Sequence, residues 1–119
     1  MYRNPTPYIP MTNGEIRDLL ARMMFGAPTF VDKTGHFDKR SIDTEFFALN
    51  EGLKEIRNQL GEGNYRVLAE LSALMRAHFE ADPEDKTEDG VKGRECIVKM
   101  RNILRAAEGR KRRALGPQS

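Results

Sequence analysis

The sequence predicts a mainly α-helical fold, a four-helix bundle-like domain with a small β-hairpin or ordered loop between its first two helices. Three observations point there. Apolar residues recur at helical spacing in four separate stretches. The connectors between those stretches are short and rich in Gly, Pro, Asn and Asp. The 119 residues, 39% hydrophobic and 32% charged, suit one domain able to bury a real core and are too apolar for wholesale disorder.

Residues 1–11 carry Pro5, Pro7 and Pro10. Each removes a backbone donor and biases its predecessor toward extended backbone, so this segment reads as an extended arm. Tyr8, Ile9 and Met11 give it apolar surface to lay on the domain or on a partner subunit. Thr12 followed by Glu15 has the capping-box spacing, and Ile16, Leu19, Leu20, Met23 and Met24 form one stripe, so a first helix is expected over 13–25 with Gly26 and Pro28 as the stop. Thr29-Phe30-Val31, Asp32-Lys33-Thr34-Gly35 and His36-Phe37 read as a tight turn that closes either a hairpin, with Phe30 and Phe37 as a cross-strand pair, or an ordered loop burying both rings.

Over 41–60, Ile42, Phe46, Leu49, Leu53, Ile56 and Leu60 alternate at steps of four and three. That is a heptad seam, too short for a sustained coiled coil. It therefore suits packing within the bundle, with a homodimer seam as the other use. Ser41 or Asp43 can cap it, and Gly52, mid-helix, implies close approach of a neighbouring helix. Gly61-Glu62-Gly63-Asn64 is a short connector with Asn64 as candidate cap. It leads to a third helix over 65–81 with the stripe Leu68, Leu71, Leu74, Met75 and Phe79, an antiparallel neighbour of the second. A charged loop follows. The fourth helix, 91–108, carries Cys96, Ile97, Met100, Ile103, Leu104 and Ala107 and is closed by Gly109. The division is thus an arm over 1–11, a helical domain over 12–109 and a basic disordered tail over 110–119.

The overall charge of +2 hides a split. Residues 91–119 hold nine Lys or Arg against two Glu, a net of +7, and residues 1–90 a net of −5. Arg94, Arg101 and Arg105 share one side of the last helix, and Arg110, Lys111, Arg112 and Arg113 follow. Together they are candidate contacts for nucleic acid or an acidic partner. The simpler use is a solvated face that pairs with the six acids of 80–89. No aromatic residue interleaves the basic run to stack bases.

Other chemistry is thin. Asp85, Thr87, Asp89 and Gly90 fall where the early ligands and turn glycine of a calcium loop would, but Cys96 takes the position that must supply a bidentate carboxylate. His78, near the end of its helix, suits a packing or capping role. Cys96, the single cysteine, sits at the edge of an apolar stripe with no base or orienting group identifiable, and excludes an intrachain disulfide. No cofactor, metal or catalytic set is expected. The opening Met1-Tyr2-Arg3-Asn4-Pro5 is no apolar signal segment and no long apolar run follows, so a cytoplasmic protein without membrane contact is expected. The functional expectation is a non-catalytic protein–protein interaction module, an adaptor, regulator, chaperone-like or inhibitory protein. It would present the apolar complement Met23, Met24, Phe25, Phe46 and Phe47. The alternative is nucleic-acid binding through the basic end.

Overall fold

The computed structural model describes residues 8–30 and 41–115, with side chains described as far as Gly109. Five helices and no strand occur among the described residues: α1 Asn13–Gly26, α2 Ile42–Glu55, α3 Arg57–Leu60, α4 Glu62–Ala81 and α5 Glu88–Leu115. The chain is mainly α.

Helix starts are set by side-chain acceptors that take orphan N–H groups. Thr12 Oγ1 receives the Glu15 N–H at 3.1 Å. Glu15 does not return the bond to Thr12, because its carboxylate takes the Met11 N–H at 2.7 Å and the Tyr8 hydroxyl at 3.1 Å. Residues 8–11 are thereby held against α1. The reciprocal box lies instead at α2, where Ser41 N–H donates to Thr44 Oγ1 at 2.9 Å and Thr44 N–H donates back to Ser41 Oγ at 3.3 Å.

Cross-element bonds fix the arrangement. Asn13 at the start of α1 donates to the Leu104 carbonyl, while Arg94 reaches the carbonyl of Ala27 just past the end of α1, so α1 and α5 run antiparallel. Arg76 pairs with Asp43, and Ser72 Oγ donates to Asn50 Oδ1 at 2.7 Å, which makes α4 antiparallel to α2. His78 Nδ1 lies 2.8 Å from Asp89 and sets α5 antiparallel to α4. Ile16 approaches Gly52, and Phe30 meets Phe46, so α1 and α2 are antiparallel too. Each long helix thus neighbours two others in an up-down cycle, a bundle around one core.

That core contains Ile16, Leu19, Leu20 and Met23 of α1, Phe46, Leu49 and Leu53 of α2, Leu68, Met75 and Phe79 of α4, and Ile97, Met100 and Leu104 of α5. Gly52 admits Pro10, whose Cγ lies 2.7 Å from where a Cβ would stand. The close neighbour at this glycine is therefore chiefly the arm, with Ile16 of the expected neighbouring helix next at 3.3 Å. Of the seam, Phe46, Leu49, Leu53, Ile56 and Leu60 are buried within the chain, and Ile42 at its start is partly buried. The seam thus serves the chain's own core, and a homodimer through it is not supported.

Several boundaries differ from expectation. The helix expected over 41–60 breaks at Ile56, whose backbone (φ −106°, ψ 15°) leaves the helical region before α3 resumes. Asn64 is not a start cap: α4 begins at Glu62 after Gly61 at φ 83°, and Asn64 donates to the Leu60 carbonyl at 3.2 Å, closing α3. Gly109 does not end the last helix, which runs on to Leu115.

The hairpin is not supported. From Val31 to Phe37 it lies outside the described residues, and at its described edge Phe30 has φ 64°, left-handed where a strand needs extended backbone. Burial explains the conformation: Phe30 is 1% exposed and meets Phe46 and Phe79 edge-on at centroid distances of 6.0 and 5.7 Å. Packing of that kind offsets a backbone strain of about 1–3 kcal/mol. Phe30 is a plug at one end of the bundle.

Candidate functional surfaces at the two ends of the bundle

The up-down cycle brings the end of α1, the start of α2, the end of α4 and the start of α5 to one end of the bundle. Four of the exposed large apolar side chains lie there, while Tyr8, Met11, Val67 and Val98 are exposed elsewhere. Phe25, in the last turn of α1, is 89% exposed, and Phe47, in the second turn of α2, is 47% exposed. Leu74, in the last two turns of α4, and Val91, in the first turn of α5, are exposed as well. Of the five residues expected to form an interface, Met23 and Phe46 instead fill the core, because each falls on its helix's inward stripe, and Met24 is half-buried. Phe25 and Phe47 point away from their stripes and stay outside. Leu74, read from the sequence as core, joins them. Its spacing fits the stripe loosely, and only the placement of α5 shows which flank is covered.

The acidic loop closes this same end, and it is built inward. Asp82 is 3% exposed and accepts the N–H groups of Lys86 at 2.8 Å, Thr87 at 2.9 Å and Gly90 at 3.0 Å. Burial pushes its carboxyl up, but these donations together outweigh burial and hold it below the usual Asp range. Asp85 takes a two-pronged pair from Arg94 at 2.9 Å on each oxygen, and that bond depresses its carboxyl. Asp89 meets His78, Glu80 meets Arg76, and Glu84 meets Lys86. The loop's carboxylates are thus spent mainly on the chain's own groups. No cluster of metal-ligating side chains occurs among the described residues.

The opposite end carries the basic half of α5. Arg94, expected to begin a basic stripe, does not belong to it: Asp85 and the Ala27 carbonyl capture it. Arg101 is half-buried, with its Nε enclosed and without an acceptor, and Arg105 reaches Asn102 at 3.4 Å. Neither has an acidic partner among the described residues. Glu108, the acid beside them, is engaged by Arg17 at 3.6 Å. Arg110, Lys111, Arg112 and Arg113 continue along the same helix backbone.

Cys96 is buried, and burial raises its thiol above the usual value, which favours the inert thiol form. A crevice between α1, α3 and α5, lined by Asn13, Ile56, Leu60 and Ala107, has room for about one water. Among the described residues no helix is long and apolar enough to cross a membrane. Compared with protein-family models, with curated proteins and with solved structures, the chain gives no match.

Proposed function

We propose that the protein is a non-catalytic interaction module that holds another protein at the apolar end of its bundle. The reading is carried by Phe25. A phenylalanine 89% exposed in the last turn of α1 contributes almost nothing to the chain's own core, and Phe47, Leu74 and Val91 stand exposed at the same end. Aromatic side chains are enriched at binding hot spots because each buries a large area with few rotatable bonds. Half-buried Met24 beside Phe25 supplies an adaptable contact. The enclosed Cys96 and the inward-turned acids support contact over covalent chemistry.

The test places a photoreactive phenylalanine at position 25 in cells that make the protein. Irradiation is expected to give a discrete heavier adduct that Phe47→Ser abolishes, while the variant retains its helical signal. The same adducts from a photoreactive residue at exposed position 105, or an adduct indifferent to Phe47→Ser, would sink the reading.

A further inference from the structure

We infer that the basic half of α5 binds duplex nucleic acid through its phosphates, on a surface separate from the apolar end and independent of the reading above. The argument begins with helix length. At 1.5 Å per residue the 28 residues of α5 span about 42 Å, and the 14 of α1 and of α2 span about 21 Å each. The bonds of Asn13 to Leu104 and of Arg17 to Glu108 mark where the start of α1 meets α5. Beyond Glu108 the helix continues for seven residues past those contacts.

Charge concentrates on that stretch. Residues 101–113 hold Arg101, Arg105, Arg110, Lys111, Arg112 and Arg113 against Glu108, a net of +5. The acids among the described residues leave two of these arginines unpaired. Arg17, Arg57, Arg76 and Arg94 each hold a carboxylate, whereas Arg101 and Arg105 have none among the described residues. The acidic loop is also remote: Arg105 lies 11 residues along α5 from Arg94, about 16 Å, twice the physiological screening length of about 8 Å. Among the described residues, pairing of the Arg stripe with residues 80–89 therefore stops at Arg94, which leaves Arg101 and Arg105 open to an external polyanion.

Duplex fits better than single strand or acidic protein. No aromatic residue lies among 101–115 to stack unpaired bases. A helix is a shape the major groove admits, and six cations in thirteen residues match closely spaced phosphates. The contact would be sequence-independent, since phosphates carry no base information.

The experiment is fluorescence anisotropy of the full chain on one random duplex across a salt series. Three proteins are compared: wild type, the quadruple variant Arg110→Gln, Lys111→Gln, Arg112→Gln, Arg113→Gln, and the double variant Arg101→Gln, Arg105→Gln. Circular dichroism confirms folding of each. Six phosphate contacts give a log–log salt slope of about −5.4, which falls to about −1.8 in the quadruple and about −3.6 in the double variant. The double variant changes residues within the bundle's reach and the quadruple those beyond it, so misfolding of one leaves the other to decide. A dissociation constant no tighter than about 10⁻⁴ M at physiological salt, slopes that do not change with the variants, or equal binding to polyglutamate would each overturn the proposal. The last would favour an acidic protein ligand.

Discussion

At Gly93, α5 lies directly against the Phe79 ring of α4. A Cβ there would stand 2.7 Å from both Cδ1 and Cζ of Phe79, a ring 1% exposed and locked edge-on against Phe30. Because the ring has no room to retreat, Gly93→Ala is expected to lose about 1–3 kcal/mol through overpacking, even though alanine is the better helix former. Urea unfolding checks this, and an unchanged or raised midpoint would show that the helices separate more easily than the packing implies. Asp82 makes a second residue-scale prediction. A carboxyl held below its unfolded value stabilises fully above the ordinary Asp pKa of about 3.9 and loses that contribution as pH falls through the folded value. Asp82→Asn puts an amide where Thr87 and Gly90 donate. It should therefore be less stable than wild type at neutral pH, with a gap that narrows as acid protonates the wild-type carboxylate. Unfolding midpoints measured from pH 7 to pH 3 test it, and a gap that stays constant would refute the role given to the ionised form.

Among the elements, the stripes of α1, α2, α4 and α5 were legible because helical spacing of apolar residues records the inward face directly. Leu19, Leu49, Leu68 and Leu104 are all buried as their spacing implies. What spacing does not record is tertiary cause. Ile56 carries no glycine or proline to announce its break, and Phe30 is fixed by Phe46 and Phe79, residues distant in sequence. Gly109 reads as a stop, but a helix glycine costs only about 1 kcal/mol, and the Ala, Glu, Arg and Lys around it favour continuation. For the candidate surfaces, the Arg periodicity was visible, whereas the capture of Arg94 by Asp85 depends on a loop that folds back on α5. The same helix supports an element-scale prediction. Deleting residues 110–119 removes the turns of α5 beyond the bonds of Asn13 and Arg17, so stability is expected to change by less than about 0.5 kcal/mol while most of the duplex affinity disappears. A larger loss in thermal unfolding would mean that this stretch packs on the domain.

On the scale of the whole molecule, the antiparallel cycle gives the protein two unlike ends. Chain direction places the terminal turns of α1 and α4 with the first turns of α2 and α5, so Phe25, Phe47, Leu74, Val91 and the acidic loop share one end, while Arg101 and Arg105, without an acidic partner among the described residues, lie toward the other. The charge split of the sequence thereby becomes a separation in space along α5. Between the ends, one core carries the stability, and Leu53 lies in it at 1% exposure. A seam that joined two chains would make Leu53→Asp a dissociating change, its effect falling away once protein concentration is lowered below the dimer's dissociation constant. A seam spent inside the chain makes it an unfolding change. A buried carboxylate without a partner costs several kcal/mol, a large share of the roughly 5–15 kcal/mol that stabilises a domain. Circular dichroism over a hundredfold range of protein concentration is therefore expected to show wild-type helix content unchanged and Leu53→Asp largely unfolded at every concentration. A variant that kept its helices but sedimented at half the wild-type mass would return the seam to an interface between chains.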